Sequence, residues 1–434
     1  MKTNTYHIEL GQLHLLNFRP LLDATVTFDP KLTVLIGANG AGKTSVLDCT
    51  AKFLYYVSCI IQKRGYDTRY TGLNNLDVNN AFSTSENQLL FHTGGAEGMF
   101  VLTLDKDSVE QPISNVEGGE SFNIFEDFQI PLWEDIRSGR PVSIPVLAYY
   151  PCHFIRIEPE MSDEEERSYT GIMSVYDNAL TGRNFSFESF LKWFDRQQKI
   201  ELQQKKPNPI LSSVKQAVLA ILNDPEQPIF TSLEMEWGEQ TDRLLIKKGS
   251  DSLNVLQLSS GEKSLVGLVA DLARRLAIAN PHSSSPLFEG SGIVLIDEID
   301  LHLHPRWQRR GVPQLMEIFS KGEVVGTTHS PVILTEIASK HIRILDEGQV
   351  YGAEESLGRK VDYSLSVLMG DKPVIRQEFE AISEQIALGY IDKAEKALNK
   401  MVERIDREGD RGEDIPEVIN LRKLIKRKRI LLKS

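Results

Sequence analysis

The sequence predicts an α/β fold in which a mixed β-sheet is flanked by helices, and three apolar segments carry this prediction. Residues 32–36 read LTVLI, residues 293–296 read IVLI, and a third run, EVVGTT, ends at Thr328. Short runs of this kind, bounded by glycine or polar residues, are typical of buried strands. Helical patterns follow them, so strands and helices alternate along a chain of 434 residues, a length that predicts two or three domains.

The first strand leads into a glycine-rich loop, GANGAGKT, which fits the pattern G-x-x-x-x-G-K-[ST]. Glycines in such a loop let backbone N–H groups turn toward phosphate oxygens, while Lys43 supplies a positive charge and Thr44 a hydroxyl ligand for magnesium. A chance glycine-rich turn is disfavoured by the strand before it and the helix after it. The predicted phosphate-binding residues are Gly37, Ala38, Asn39, Gly40, Ala41, Gly42, Lys43, Thr44 and Ser45.

Composition is that of an ordinary globular protein with a formal net charge of −12, which does not by itself indicate a polyanion partner. The three cysteines, Cys49, Cys59 and Cys152, are scattered and odd in number, which favours a reducing compartment over a disulfide framework. No run of eighteen apolar residues and no signal-like start occurs. We therefore expect a soluble, cytoplasmic protein with no membrane span of its own.

The chain falls into segments of different character. Strands are predicted over 8–36, a helix to about Ile61, a β-rich insert over 65–140, and a buried strand over 141–151. Helices dominate 160–225, and PIFTSLEMEW with RLLIKK predicts a hairpin. Residues 351–434 show apolar positions at i, i+3 and i+4, which predicts a helical C-terminal extension.

Three further motifs point to nucleotide chemistry. LSSGE, residues 258–262, stands at the head of a long helical pattern, where a hydroxyl, free amides and the helix dipole attract an anion; a plain N-cap would read the same. The strand 293–296 ends at Asp297 and Glu298, a carboxylate for magnesium and one for a water molecule. A third strand ends at His329, which could face the same phosphate.

These motifs, in this order, resemble the ABC-type P-loop ATPases, specifically their SMC-like and RecF-like branch, to which NFR at 17–19 and IDEIDLHLHP are also similar. The resemblance implies a two-lobed ATPase domain over 1–350 with a helical insert, a 351–434 extension, and ATP and Mg²⁺ as cofactors. It further implies a dimer in which Ser259, Ser260, Gly261 and Glu262 of one subunit close on the ATP bound by the other. Thr44 and Asp297 would hold magnesium, and Glu298 and His329 would be catalytic.

Within that branch, HLHPRWQ, ILDEGQV and GRKVDYSLSVLMGDKP are similar to PtuA, the ATPase of Septu and retron-associated antiphage systems. This similarity implies an ATPase that forms a dimer or larger oligomer and regulates a partner nuclease, of HNH type, in antiphage defence. Two alternatives stay open: a DNA repair or recombination ATPase acting directly on DNA, and the energising subunit of a transporter. The long spacing from LSSGE, the signature motif of this family at residues 258–262, to Asp297 disfavours the transporter.

Other features leave two interpretations each. His302 and His304 suggest a metal site, but local packing in a loop is the simpler interpretation. The basic tail LRKLIKRKRILLK is either a solvated helix face or a patch for nucleic acid or an acidic partner surface. VLAYYPCHF contains no glutamine where the family's glutamine loop is expected.

Overall fold

The computed structural model consists of two compact units, Met1–Val361 and Asp362–Ser434. The bounds given above for the ATPase domain, for its inserts and for the C-terminal extension remain predictions. The structure describes residues 3–63, 75–106, 116–117, 120–152, 155–156, 171–181, 185–223, 228–238, 242–283, 285–300, 303, 305–346, 348–352, 374–407 and 416–431.

Eighteen strands lie in the described residues. They are β1 (Asn4–Thr5), β2 (Glu9–Phe18), β3 (Leu21–Thr27), β4 (Leu32–Gly37), β5 (Thr84–Thr93), β6 (Ala96–Asp105), β7 (Val116–Glu117), β8 (Val142–Ser143), β9 (Val146–Tyr150), β10 (Ile155–Arg156), β11 (Phe185–Ser186), β12 (Phe230–Glu236), β13 (Arg243–Lys248), β14 (Asp251–Asn254), β15 (Ser291–Ile296), β16 (Lys321–Thr327), β17 (Ile342–Asp346) and β18 (Gln349–Gly352).

Eleven α-helices accompany these strands in the same described part of the chain. They are α1 (Lys43–Ile61), α2 (Glu120–Arg137), α3 (Phe187–Gln204), α4 (Pro209–Leu222), α5 (Ser260–Ala279), α6 (Pro286–Glu289), α7 (Pro305–Ile318), α8 (Pro331–Thr335), α9 (Val374–Ala387), α10 (Ile391–Arg407) and α11 (Pro416–Leu431).

A six-stranded sheet in the order β18-β17-β4-β16-β15-β9 forms the centre of the first unit. All neighbouring pairs are parallel except β17 and β18. Every residue of β4 and β15 is buried, which explains their uninterrupted apolar sequences. Because the carboxyl ends of parallel strands share one edge, this sheet brings the phosphate loop, Asp297 and His329 together and confirms the predicted P-loop fold.

A second, five-stranded sheet in the order β3-β2-β5-β6-β7 is antiparallel. Its strands β5 and β6 lie in the range 65–140, for which the sequence predicts only β-rich structure. The same range also contains α2, which the sequence analysis missed because Pro131 interrupts its helical pattern. The Trp133 indole N–H donates to the Ile61 carbonyl oxygen at 2.9 Å and so fixes α2 to the end of α1.

Helix α1 contacts strands of both sheets. Among the described residues it is the one helix with the length and hydropathy of a membrane span, and 78% of that stretch is buried inside the protein. Burial against two sheets accounts for its apolar composition without a bilayer.

The segment before α5 contains α3, α4 and a small antiparallel sheet, β12-β13-β14. The predicted hairpin of β12 and β13 is confirmed, whereas the third strand was not predicted. The Asn208 side chain accepts from the N–H groups of Ile210 and Leu211, so α4 begins where its cap and Pro209 require.

The second unit is helical, as predicted. Helices α9, α10 and α11 bury a common apolar core: Ile382, Ile386, Ile391, Ala394, Leu398, Met401, Val402, Val418, Leu421 and Ile425. Arg429 of the basic helix α11 pairs with Asp392 at 2.9 Å and Glu395 at 2.8 Å. Part of the positive charge predicted for the tail is therefore compensated within this unit.

Candidate nucleotide-binding site

A cleft of about 380 Å³ opens at the carboxyl edge of the six-stranded sheet. The motifs that the sequence places far apart meet in its wall, because β4, β15 and β16 are neighbours. The lining residues are Pro20, Asn39, Gly40, Gly42, Lys43, Thr44, Ser45, Asp297, Glu298, Thr327 and His329.

The loop from Gly37 to Thr44 wraps the start of α1. Gly42 has φ 102°, in the left-handed region, and a Cβ there would lie 3.0 Å from the Leu21 side chain. A Cβ on Gly37 would collide with the Leu345 carbonyl oxygen. Both glycines are thus required by the close approach of the neighbouring chain. The amides at a helix start can bind an anion.

Lys43 arches back over this loop. Its Nζ donates to the carbonyl oxygens of Gly37 at 2.9 Å and Ala38 at 3.0 Å. Burial lowers the pKa of Lys43, while the nearby carboxylates of Asp297 and Glu298 act in the opposite direction. Of the remaining loop residues, Asn39, Gly40, Thr44 and Ser45 line the cleft, and the Ala41 N–H donates to the Ala38 carbonyl oxygen at 3.1 Å.

Thr44 and Asp297 face each other across the cleft. The Thr44 hydroxyl lies 3.1 Å from Oδ2 and 3.3 Å from Oδ1 of Asp297. Burial raises the pKa of Asp297, and hydrogen bonds from Thr327 and Thr44 lower it in part. A hydroxyl and a carboxylate are hard oxygen donors, so the donor set fits Mg²⁺.

Glu298 has a left-handed backbone with φ 52°. Its N–H donates to the Thr327 hydroxyl at 2.7 Å, and its Oε2 accepts from the Cys152 thiol at 3.2 Å. A left-handed non-glycine residue costs conformational energy, so the surrounding bonds hold Glu298 in this arrangement. The carboxylate lies in the wall of the cleft, where it could accept a proton from water.

His329 closes the cleft beside Lys43. Its backbone N–H donates to Asp300 Oδ1 at 3.3 Å, and the same oxygen accepts from the Thr328 hydroxyl. Burial lowers the pKa of His329, and the charge of Lys43 lowers it further. The ring is therefore neutral near pH 7 and can donate one hydrogen bond to a phosphate oxygen.

The turn Ser259–Glu262 lies at the amino end of α5, and none of its four described residues lines the cleft. Ser259 and Glu262 form a capping box: the Glu262 carboxylate accepts from the Ser259 N–H at 2.9 Å, and the Ser259 hydroxyl accepts from the Glu262 N–H at 3.3 Å. Lys248 lies 3.2 Å from Glu262. Ser259 and Ser260 are exposed.

Two family models match the chain. One, "AAA ATPase domain", covers residues 9–127, and the other, "AAA domain, putative AbiEii toxin, Type IV TA system", covers residues 136–335. A retron Ec83 probable ATPase from Escherichia coli is 28% identical over 414 residues, which span 81% of this chain and 74% of the relative. The chain is a homologue of the retron ATPases. It is itself a P-loop ATPase that binds a nucleotide.

Septu protein PtuA from Bacillus thuringiensis is also a homologue, 29% identical over 112 residues, which cover 25% of this chain and 28% of the relative. Among solved structures, the SMC head domain from Thermotoga maritima is similar with a TM-score of 0.41 and 16% identity, over 80% of this chain and 100% of that one. The predicted resemblance to the retron and Septu ATPases is confirmed.

Three site residues of this ATPase escaped the sequence analysis. Thr327 joins Asp297 to the Glu298 backbone, Thr328 fixes Asp300, and Cys152 contacts the Glu298 carboxylate. Two threonines at the end of an apolar strand are a usable signal, because buried hydroxyls need partners. Cys152 carries no such signal, since only the pairing of β9 with β15 brings it to Glu298.

The predicted metal alternative at His302 and His304 lies outside the described residues. Within the described part of the chain, no group of three or more His, Cys, Asp or Glu side chains could hold a metal ion.

Proposed function

We propose that this ATPase binds ATP and Mg²⁺ between two copies of the chain, and that closure of the copies regulates a partner nuclease in antiphage defence. The homology to retron ATPases and Septu PtuA supports the defence setting. The proposed partner is a nuclease of HNH type, as the similarity to the Septu ATPases implies. The proposed compartment is the cytoplasm.

One observation carries the proposal of two copies: the Ser259–Glu262 turn and the nucleotide cleft are separate within one chain. The turn exposes two serines at the positive end of a twenty-residue helix, which attracts anions. A phosphate bound at Lys43 would leave one side of the cleft open to such a turn from a second copy. We therefore propose that each complete site takes its signature residues from the partner.

The described side chains support a division of roles in hydrolysis. Lys43 and the loop amides would hold the β- and γ-phosphates, and Thr44 and Asp297 would hold Mg²⁺. When bound, Mg²⁺ would neutralise phosphate charge in the transition state. Glu298 would accept the proton of the attacking water, and neutral His329 would donate to the γ-phosphate.

Mixing two inactive variants tests the shared site. Lys43→Ala removes the phosphate-binding cation, and Ser260→Arg places bulk where the facing subunit's phosphate would lie. Each variant alone should be inactive, while heterodimers retain one intact site, so an equimolar mixture should recover about a quarter of the wild-type rate. Ser260→Ala is the matched control, and two copies of this variant should still close around ATP. A mixture without any recovered activity would contradict shared sites.

The partner is tested separately from the site. The proposed HNH-type nuclease is co-expressed with the wild-type chain or with Glu298→Gln, and its activity on DNA is measured with and without ATP. We expect nuclease activity to depend on the nucleotide state of the ATPase. Equal nuclease activity in all conditions would exclude regulation while leaving the ATPase assignment intact.

A second candidate, direct action on DNA, is favoured by one surface. Lys393, Lys396 and Lys400 are exposed and lie on one face of α10, opposite its buried residues. Such a face could contact phosphates, and its contribution would weaken steeply with salt. Salt-sensitive DNA binding by the isolated protein that is lost in the triple Lys→Gln variant would favour this candidate over nuclease regulation.

A further inference from the structure

The segment that follows β9 runs directly beside Asp297 and Glu298. The last residue of β9, Tyr150, pairs in parallel register with Ile296, and its carbonyl oxygen accepts from the Asp297 N–H at 2.8 Å. The chain therefore arrives at the Glu298 side chain two residues later, at Cys152. Its thiol is partly buried and donates to Glu298 Oε2 at 3.2 Å.

The donor role of this thiol is fixed by its surroundings. Burial and the adjacent carboxylates raise the pKa of Cys152 to about 12, so the sulfur keeps its proton at neutral pH. A thiol that keeps its proton acts as the donor toward the carboxylate oxygen that it contacts. No hydrogen bond joins a described residue to Oε1 of Glu298, so this second oxygen could accept a proton from water.

Hydrogen bonds to α5 also anchor this segment. The Tyr150 hydroxyl donates to Asp271 Oδ2 at 2.9 Å, and Asp271 is buried between Arg274 and Arg275. Arg275 in turn donates to the carbonyl oxygen of Asp177 at 3.1 Å. Asp271 belongs to α5, the helix that begins at the signature turn. The position of Cys152 is thus tied to the helix that the partner copy would meet.

From this arrangement we propose that Cys152 is a positioning residue for ATP hydrolysis: its thiol holds the Glu298 carboxylate toward the attacking water, and the Tyr150–Asp271 hydrogen bond holds the thiol. The inference rests on the part of the proposed function in which Glu298 is the base, and not on any partner nuclease. Cys152 lies in the stretch VLAYYPCHF, where a glutamine loop was expected, and it contacts the proposed base Glu298.

The proposal distinguishes an orienting hydrogen bond from simple packing. Without the donor, the Glu298 carboxylate gains rotational freedom and spends less time in the orientation that accepts a proton from the attacking water. This lowers the rate of the chemical step but not the affinity for ATP. Serine preserves a donor at nearly the same place, whereas alanine removes it. A packing role would depend on side-chain volume instead and would give the two variants similar defects.

The experiment compares Cys152→Ala and Cys152→Ser with wild type in the full chain. Single-turnover hydrolysis gives the rate of the chemical step, and a fluorescent ATP analogue gives the Kd. We expect Cys152→Ala to slow hydrolysis roughly 10-fold with an unchanged Kd, and Cys152→Ser to remain within roughly threefold of wild type. A Cys152→Ala rate within twofold of wild type, or equal defects in both variants, would overturn the proposal.

A second pair of variants tests the anchor. Tyr150→Phe removes the hydroxyl that binds Asp271. Tyr176→Phe removes a buried hydroxyl that donates at 2.8 Å to the carbonyl oxygen of Pro145, at the opposite end of β9 from Tyr150. Only Tyr150→Phe should slow hydrolysis. Equal rates in both variants would exclude the anchor. If Glu298→Gln hydrolysed ATP at the wild-type rate, the proposed role of Glu298 itself would fail, which is a separate result.

Discussion

The Thr327 hydroxyl donates a 2.6 Å hydrogen bond to Oδ1 of Asp297. The same oxygen of Thr327 accepts the Glu298 N–H at 2.7 Å. One buried hydroxyl at the end of β16 therefore orients both acidic residues at the end of β15. It holds the proposed metal ligand through its side chain and the proposed base through its backbone.

Thr327→Val keeps the shape of this side chain and removes the hydroxyl. The buried Asp297 carboxylate and the partly buried Glu298 N–H each lose a partner. We therefore expect a loss of roughly 1–3 kcal/mol in the free energy of unfolding and a fall in hydrolysis of at least roughly 10-fold. Denaturant unfolding and phosphate release measure the two effects. Thr335→Val, whose hydroxyl donates locally to the Val332 carbonyl oxygen, is the control. If the two variants hydrolyse ATP equally well, the bridging role is wrong.

Lys43→Ala should abolish ATP binding. Among the described residues that line the cleft, Lys43 supplies the one Lys or Arg side chain, and removing a buried charge-assisted contact should weaken affinity at least roughly 100-fold. Equilibrium binding of labelled ATP measures the change, with the exposed Lys31→Ala as control. Native affinity in Lys43→Ala would contradict the assignment of the loop.

Glu298→Gln should separate binding from hydrolysis. The amide keeps the size of the side chain but is a poor base, so hydrolysis should fall by roughly 10² to 10⁴ while ATP stays bound. The trapped state should also accumulate as the ATP-bound assembly, which light scattering can detect. The exposed Glu86→Gln should hydrolyse normally. No ATP-dependent change of assembly in Glu298→Gln would count against two copies closing on the nucleotide.

Glu323 should make stability depend on pH. Burial raises its pKa from the ordinary 4.5 to about 8, and its Oε2 accepts the Leu10 N–H at 3.0 Å. The folded state holds a proton that the unfolded chain releases, so this contribution is complete below pH 4.5 and is lost as the pH rises through 8. Glu323→Gln keeps an acceptor for Leu10 without a titrating group.

We therefore expect Glu323→Gln to gain about 2–4 kcal/mol over wild type at pH 9 and little at pH 5. Thermal unfolding at both pH values measures the difference. The exposed Glu289→Gln should show no such pH-dependent gain. An equal gain at both pH values would show that packing, and not the ionisation of Glu323, is responsible.

The sequence predicts those site residues that a local pattern identifies, and it misses those whose partners depend on the order of the strands. The phosphate loop, Asp297, Glu298 and His329 stand at the ends of apolar strands, so local patterns identify them. Cys152 and Thr327 acquire their partners through the strand order β4-β16-β15-β9, which no local pattern contains. Helix α2 was missed for a different reason, because Pro131 within it reads as a helix breaker.

The turn Ser259–Glu262 is a different case, because one sequence pattern there is compatible with two roles. A plain N-cap was the alternative interpretation of LSSGE, and in the structure Ser259 and Glu262 form a capping box at this position. The same residues are also the ones that the family resemblance assigns to a nucleotide on another copy. Capping and the proposed phosphate contact therefore use the same end of α5.

The position of β4 in the central sheet has a consequence for biosynthesis. β4 precedes the phosphate loop near the start of the chain, yet its two neighbours, β16 and β17, come from near the end of the first unit. During synthesis on the ribosome, β4 therefore has neither neighbouring strand until almost the whole first unit has been made. Non-local strand pairing of this kind is slow, and the unpaired apolar segments are exposed to aggregation in the interval. Truncated translation products should therefore lack a competent phosphate loop, although they contain its entire sequence.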